Sequence, residues 1–142
     1  MTAFVLDNSV TMRWCFESTS TPYAEEVLQR LQAGQIAHVP VMWLYEVVSV
    51  LAKAERRGWI TAEKVRGFLE DLRSLNIRVD EESAGHILRD LHPLAVDLGL
   101  SGYDAAYLEL AIRKGLPLAT LDEDLQKAAR KVGLEVFQSA PL

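Results

Sequence analysis

Short apolar runs alternate with longer helical patterns along the whole chain, and this alternation is the strongest constraint on the fold. Each run is short and rich in aliphatic residues, which is typical of a buried β-strand. The runs cover residues 3–6, 36–39, 77–79, 116–120 and 134–137. Strands separated by helices require crossover connections, which place helices on both faces of a parallel sheet. We therefore predict an α/β domain with a central, mostly parallel sheet of five strands.

Proline, glycine and capping residues mark the limits of the intervening helices. The predicted helices span residues 22–34, 40–58, 61–72, about 82–98, 101–115 and 122–132. Pro93 should kink or split the fourth of these, because proline removes a backbone donor. The second carries an apolar stripe that should face the core. Its members are Leu44, Val47, Val48 and Leu51.

Length and composition indicate one globular domain, residues 1–142. Cys15 is the single cysteine, so no intramolecular disulfide can form, which fits a reducing compartment. The N-terminus lacks a basic segment followed by a cleavable apolar core. The longest apolar stretch, residues 39–52, is interrupted by Glu46 and is shorter than the roughly 20 residues of a membrane span. These features predict a cytoplasmic protein without a membrane segment.

The formal net charge of −5 makes passive binding to nucleic acid a poor expectation, because such binding needs a basic face. An acidic chain can still act on nucleic acid if metal ions neutralise its site. The charge balance therefore disfavours a simple nucleic-acid-binding module more than it disfavours a metal-dependent nuclease.

Acidic residues occur at the positions where parallel α/β folds place their ligands, beyond the carboxyl ends of the strands. Asp7 directly follows the first strand, and Asp122 and Asp124 follow the fourth. Asp104 and Glu46 lie early in helices that can reach the same edge. Carboxylates without histidine or cysteine partners favour a hard cation such as Mg²⁺ or Mn²⁺. Such an ion can activate water and stabilise charge on a phosphodiester, and no activated protein nucleophile is visible.

Each acid also has a structural interpretation. Asp7 can be a turn residue, and Glu46 lies opposite the apolar stripe, as on a solvated helix face. Asp104 follows Ser101 in a capping box, and Asp122 can cap the next helix. Only convergence of these residues in space distinguishes the functional interpretation from the structural one.

Three segments resemble motifs of the PIN-domain family, in particular those of VapC-type toxins. They are FVLDNSV at residues 4–10, which continues through Arg13 and Trp14, SGYDAAY at 101–107, and LATLDEDL at 118–125. Glu46 fits the remaining acid of the family, which lies early in a helix. The resemblance extends over the whole chain, and the ordered pair YDAAY and TLDEDL is its most specific part.

The resemblance implies a three-layer PIN-type fold and a metal-dependent endoribonuclease. Carried over residue by residue, Asp7, Glu46, Asp104 and Asp122 would form the catalytic metal site, with Asp124 as an auxiliary metal ligand. Ser9 and Thr120 would orient the carboxylates, whereas Asn8, where the family often has a small residue, receives no role. An RNA substrate, Mg²⁺ or Mn²⁺ as cofactor, a cognate antitoxin protein and a homodimer are further implications of the resemblance.

Other function classes remain open on the sequence. A receiver-type signalling domain also uses a five-stranded parallel sheet with acids at strand ends, and Asp80 after the third strand would suit one. A phosphatase with Asp7 as nucleophile would usually need a second acid where Ser9 stands. A catalytically inactive protein-binding module is a further alternative, although the intact set of acids argues against it.

The remaining polar residues give weaker indications. Several basic residues can contact RNA phosphates or simply solvate helix faces. They are Arg13, Lys53, Arg56, Arg57, Arg113 and Lys114. His38, His86 and His92 show no metal-ligand spacing, and we interpret them as ordinary surface or half-buried residues.

Overall fold

The computed structural model describes residues 2–81 and 85–138. Within these ranges one sheet contains four strands, in the spatial order β3-β2-β1-β4. The strands are β1 (Ala3–Leu6), β2 (Ile36–Pro40), β3 (Ile77–Asp80) and β4 (Leu118–Ala119). All three pairings between neighbouring strands are parallel, so the predicted parallel sheet is confirmed.

Seven α-helices connect the strands in the described ranges, and six of them correspond to the predicted helices. They are α1 (Asn8–Cys15), α2 (Pro22–Gln32), α3 (Val41–Arg56), α4 (Ala62–Ser74), α5 (His92–Leu98), α6 (Gly102–Lys114) and α7 (Glu123–Lys131). A π-helical segment, Ile87–Leu91, leads into α5, so the predicted break lies next to Pro93. The start of that helix near Glu82 lies outside the described residues. None of the helices in the described ranges is long and apolar enough to cross a bilayer.

The sheet is the middle layer of the molecule. Phe4, Val5 and Leu6 of β1 are all 0% exposed. Successive side chains of a strand point to opposite faces, so both faces of β1 must be covered. Helix α6 contacts both β1 and β2, and α3 contacts β2. This arrangement agrees with the predicted three-layer α/β/α architecture.

The prediction of a fifth strand at residues 134–137 is wrong, because only one residue pair forms a bridge. Val136 lies beside Leu118, whose N–H donates to Glu135 O at 2.9 Å. The next ladder bond would run from the Thr120 N–H to Phe137 O. The Tyr23 hydroxyl takes that place, since it accepts from Thr120 N at 3.3 Å and donates to Phe137 O at 2.8 Å. A side chain from α2 therefore ends the ladder after one bridge.

The predicted apolar stripe of α3 is only partly correct. Val47 and Leu51 are buried, but Leu44 is 44% exposed and Val48 is 60% exposed. The stripe that packs on the core is Trp43, Val47, Leu51 and Ala54. Trp43 is held inside by a hydrogen bond from its indole N–H to Thr11 Oγ1, 3.0 Å long. Because α3 is apolar on most sides, its periodicity alone did not distinguish the two stripes.

Candidate metal centre

The strand order creates a switch point between β1 and β4. The chain proceeds outward from β1 to β2 and β3, and then returns to place β4 on the other side of β1. Ligands of open α/β sheets bind in the crevice at such a point, beyond the carboxyl ends of the strands. The Asp7 N–H donates to Ala119 O at 3.0 Å, which brings the ends of β1 and β4 together. The predicted proximity of Asp7 to the loop after the fourth strand is confirmed.

Asp7 is a buried carboxylate held by two hydroxyl groups. Its side chain is at the N-terminus of α1 but makes no capping bond there. Instead, Oδ2 accepts from Ser9 Oγ at 2.6 Å and from Thr120 Oγ1 at 2.7 Å. Burial raises the pKa of Asp7, the two hydroxyl groups partly oppose this, and the nearby Asp122 raises it further. Asp7 is therefore a turn residue by position, and its carboxylate is held by hydroxyl groups from α1 and from the residue after β4.

The same hydroxyl groups also shape the loop after β4. The Leu121 N–H donates to Ser9 Oγ at 3.0 Å, and the Asp122 N–H donates to Thr120 Oγ1 at 3.0 Å. The predicted orienting roles of Ser9 and Thr120 are supported by these contacts. Since Asp7 shares both hydroxyl groups with the loop, its position and that of Asp122 are coupled.

Asp122 is both a helix cap and a member of the acidic group. Its Oδ1 accepts from the N–H groups of Asp124, at 2.9 Å, and Leu125, at 3.2 Å, which caps α7. No hydrogen bond within the described ranges uses its Oδ2. The capping interpretation is therefore correct and does not exclude a role in cation binding. Asp124 lies on the exposed side of the same turn.

Glu46 reaches the site from the second turn of α3. It is half-buried, and one of its carboxylate oxygens accepts a hydrogen bond from the Tyr107 hydroxyl of α6. Burial raises the pKa of Glu46, the Tyr107 hydrogen bond opposes this, and the charges of Asp7 and Asp104 add to the increase. A solvated helix face, the structural alternative for Glu46, would show none of these features.

Asp104 lies in the first turn of α6, where its backbone N–H donates to Ser101 Oγ at 3.1 Å. The Ser101 hydroxyl group therefore caps α6, and a hydrogen bond with Ser101 also lowers the pKa of Asp104. Burial raises the pKa of Asp104, and the negative charges of Asp122, Asp7 and Asp124 raise it further. Four helices and two strands therefore bring the five predicted acids into one region of negative charge.

This group of acids fits a divalent cation. Within the described ranges, no three of the acids bring one oxygen each within 4.8 Å of one another. A cation at this site would therefore bind directly through one or two carboxylates and keep several water ligands. A cation would also relieve the mutual repulsion that raises the carboxyl pKa values.

A second group of possible ligands lies elsewhere, and its histidine was predicted to be an ordinary surface or half-buried residue. His86, Asp90 and Glu109 each place one possible ligand atom within 4.8 Å of the other two. Their carboxylates already have cationic partners, however. Arg113 donates to both oxygens of Glu109, at 2.7 and 3.2 Å, and Arg89 donates to both oxygens of Asp90, at 3.1 and 3.3 Å. A metal ion would have to displace both guanidinium groups, so this group is a poorer candidate for cation binding than the acids at the switch point.

Two functional contacts escaped the sequence analysis. Tyr107 lies within the YDAAY segment, three residues after Asp104, and this spacing on one helix face is the signal that could have identified it. Tyr23, whose pKa burial raises to about 12, anchors the Thr120 backbone from α2. No sequence pattern links residue 23 to residue 120. Arg113, predicted as a possible RNA contact, instead pairs with Asp80 and Glu109.

Thr120→Val should weaken divalent cation binding about 10- to 100-fold, because loss of an orienting partner typically has that effect. Thr120 is fully buried, and valine keeps its shape but loses the bonds to Asp7 and to the Asp122 N–H. Calorimetric titration with Mn²⁺ measures the affinity. Thr120→Ser, which keeps the hydroxyl group, is the matched control and should bind nearly as well as the wild type. Equal affinity of the valine variant and the wild type would contradict the orienting role.

The raised pKa values of Asp7, Glu46 and Asp104 predict an unusual pH dependence of stability in the metal-free protein. Each carboxyl binds a proton more readily in the folded chain than in the unfolded chain, so protonation stabilises the fold. That contribution is complete below the ordinary carboxyl pKa and is lost as the pH rises through the raised values. In EDTA, the thermal unfolding midpoint should therefore increase when the pH is lowered from neutral to mildly acidic. A midpoint that falls over this range in calorimetry would contradict the prediction.

Comparison with known proteins agrees with this geometry. The family model described as "PIN domain" matches residues 4–131. The chain is 32% identical over 102 residues to ribonuclease VapC3 of Pyrobaculum aerophilum, an alignment that covers 72% of this chain and 78% of the relative. It is 35% identical over 91 residues to ribonuclease VapC3 of Mycobacterium tuberculosis, covering 64% of each chain.

A solved structure supports the fold independently. VapBC2 from Rickettsia felis, crystallised with a DNA fragment from its promoter, contains a chain that superposes with a TM-score of 0.67. The superposition covers 95% of this chain and 97% of that chain at 14% identity, so it supports the fold alone. The match of the family model over most of the chain and the ribonuclease relatives together show that this chain belongs to the PIN-domain family.

Proposed function

We propose that this protein is a metal-dependent endoribonuclease that hydrolyses RNA phosphodiester bonds at the switch-point site. The convergence of Asp7, Glu46, Asp104 and Asp122 is the observation that carries the proposal. These acids lie close enough to influence one another. The negative charge of at least one other member of the group raises the pKa of Asp7, of Glu46 and of Asp104. Membership of the PIN-domain family and the ribonuclease relatives support the same reaction class.

We propose Mg²⁺ as the cofactor, with Mn²⁺ as a substitute, held by Asp7, Glu46, Asp104 and Asp122 with Asp124 in an auxiliary position. A bound ion of this kind supplies activation of water and stabilisation of charge on the phosphodiester. The protein contributes orientation: Ser9 and Thr120 fix Asp7, and Tyr107 fixes Glu46. The raised pKa values of these carboxyls also suit a group that accepts a proton from water.

The biological setting is a further part of the proposal. The relatives and the structural neighbour bear names of the VapC and VapBC systems, which supports a toxin paired with a cognate antitoxin protein. We also propose a homodimer of single-domain chains, residues 1–142, acting on RNA in the cytoplasm. Size-exclusion chromatography with light scattering, with and without the co-expressed antitoxin, tests the assembly.

The alternatives lose support for specific reasons. Receiver-type domains have the strand order 2-1-3-4-5, whereas β1 here lies between β2 and β4. Asp80, which made that alternative attractive, is buried and paired with Arg113. For a phosphatase, Ser9 occupies the position of the required second acid and serves as a hydrogen-bond donor to Asp7. Cleavage of RNA is the direct test of the proposed function.

Mapping of new RNA 5′ ends provides that test. Total RNA is incubated with Mg²⁺ and either the wild type or Asp104→Asn, and its 5′ ends are then sequenced. We expect sharp new ends that require both the metal and Asp104. Asp97→Asn, which removes an exposed carboxylate of α5, is the matched control and should cleave normally. Equal cleavage by Asp104→Asn and the wild type would exclude the proposed role of Asp104.

A further inference from the structure

A groove of about 390 Å³ adjoins the acidic site between α1, α3 and α6. Its walls include Asn8, Tyr45, Glu46, Ser49 and Tyr103. Glu46 thus belongs to both the groove and the acidic site. A substrate whose phosphate lies at the acids would have its neighbouring groups beside this groove.

Two exposed tyrosines border the groove. Tyr45 is 71% exposed and Tyr103 is 66% exposed. Each directly precedes a site acid, Tyr45 before Glu46 and Tyr103 before Asp104. Large aromatic rings left in solvent beside a phosphodiester site are suited to stacking on unpaired bases, which is how single-stranded RNA is commonly recognised.

Asn8 supplies an unused polar group at the same place. Asn8 is 8% exposed, and no group among residues 2–81 and 85–138 hydrogen-bonds to its Oδ1. A buried polar atom without a partner is costly, and such atoms are rare in native structures. The amide carries one acceptor and two donors, so a ligand with a complementary hydrogen-bonding edge can pair with it. The groove therefore combines stacking surfaces with one unsatisfied amide.

The charge of the groove narrows the class of ligand. Among the described residues that line it, none is lysine or arginine, and Glu46 is the charged one. The groove itself therefore lacks the positive charge that would bind an anionic phosphate. A flat, neutral group with hydrogen-bonding edges fits this combination, and a nucleobase is such a group.

We propose that this groove binds one unpaired nucleobase of the substrate, next to the phosphate at the acidic site. Tyr45 and Tyr103 stack on the base, and Asn8 selects it through hydrogen bonds to its edge. This inference rests on the proposed ribonuclease function and deepens it, because it names a base-selective subsite for single-stranded RNA.

Cleavage of short single-stranded RNAs of random sequence tests the assignment of each residue. Asn8→Ala should reduce the preference for one base at one position beside the cut by about tenfold, since one hydrogen bond to the base is lost. Tyr45→Ala and Tyr103→Ala should each raise KM by about tenfold for all sequences, because stacking tolerates any base. The corresponding Phe variants keep the ring and should recover most of the increase in KM that the Ala variants show. Trp59→Ala, which removes a 63% exposed ring from a different groove, should have no effect.

Full base preference in Asn8→Ala, or equal losses in Trp59→Ala and the tyrosine variants, would overturn the subsite. A binding measurement separates this result from failure of the nuclease itself. The NMR signals of the Asn8 side-chain amide are assigned as those missing from the spectrum of Asn8→Ala. The wild-type protein is then titrated with AMP, GMP, CMP and UMP in the presence of Mg²⁺. A shift that is larger for one nucleotide supports the subsite even if no RNA is cleaved. Absence of any shift overturns it, whether or not RNA is cleaved.

Discussion

Asp7→Asn should cleave RNA at least about 100-fold more slowly than the wild type, because loss of a direct metal ligand should cost more than loss of an orienting residue. The same variant should unfold at a higher temperature in the absence of metal. Asp7 is 6% exposed, and both burial and Asp122 disfavour its charge. Asparagine keeps the shape and can hydrogen-bond to Ser9 and Thr120 without that charge.

The combination of slower cleavage and higher stability distinguishes a functional Asp7 from a structural one. A merely structural Asp7 would lose stability on replacement and would lose activity only in proportion to the unfolded fraction. Initial rates on RNA and calorimetric unfolding midpoints in EDTA measure the two effects on the same samples. Asp97→Asn serves again as the control and should leave both unchanged. An unstable Asp7→Asn protein with normal specific activity would contradict the assigned role.

Arg113→Leu should lower the free energy of unfolding by about 3–5 kcal/mol, the usual effect of breaking a buried ion pair. Arg113 connects α6 to the end of β3. Its side chain is 19% exposed, and those of its partners Asp80 and Glu109 are 4% and 10% exposed. Leucine would remove the guanidinium that donates to both of these buried carboxylates.

Urea denaturation measures the loss in Arg113→Leu. Adding Asp80→Asn and Glu109→Gln to Arg113→Leu removes the two negative charges that Arg113 contacts and should recover a large part of the loss. Arg89→Ala, which breaks a pair on the exposed surface, should leave the denaturation midpoint unchanged. If Arg113→Leu were as stable as the wild type, the ion pairs would not be significant for folding.

Local chemistry allowed much of the fold and most of the proposed site to be predicted from the sequence. Strand and helix periods depend on neighbours along the chain, and capping residues such as Ser101 act within one turn. Parallel strands separated by helices then place Asp7 and Asp122 at the same edge, whatever the details of packing. The acidic motifs could be located for the same reason, since each lies within a few residues of a strand end or helix start.

Helix α1 and the end of the sheet depended on contacts that the local pattern does not encode. The segment Asn8–Cys15 contains β-branched Val10 and Thr11, which are weak helix formers, yet both are fully buried in α1. Tyr23 ends the ladder at Thr120, which lies 97 positions away in the chain. Tertiary packing outweighs propensity in the first case, and a long-range side chain replaces a backbone partner in the second.

The sequence by itself therefore determined the fold class and the edge of the sheet at which Asp7 and Asp122 lie, and its resemblance to a family supplied the proposed set of acids. Only the tertiary structure decided their environment. Tyr107 reaches Glu46 across 61 positions, Thr120 reaches Asp7 across 113, and Asn8 is buried with an unused acceptor. Burial and distant hydrogen bonds set the pKa values and orientation of the site, and both arise only when segments far apart in the chain meet in space.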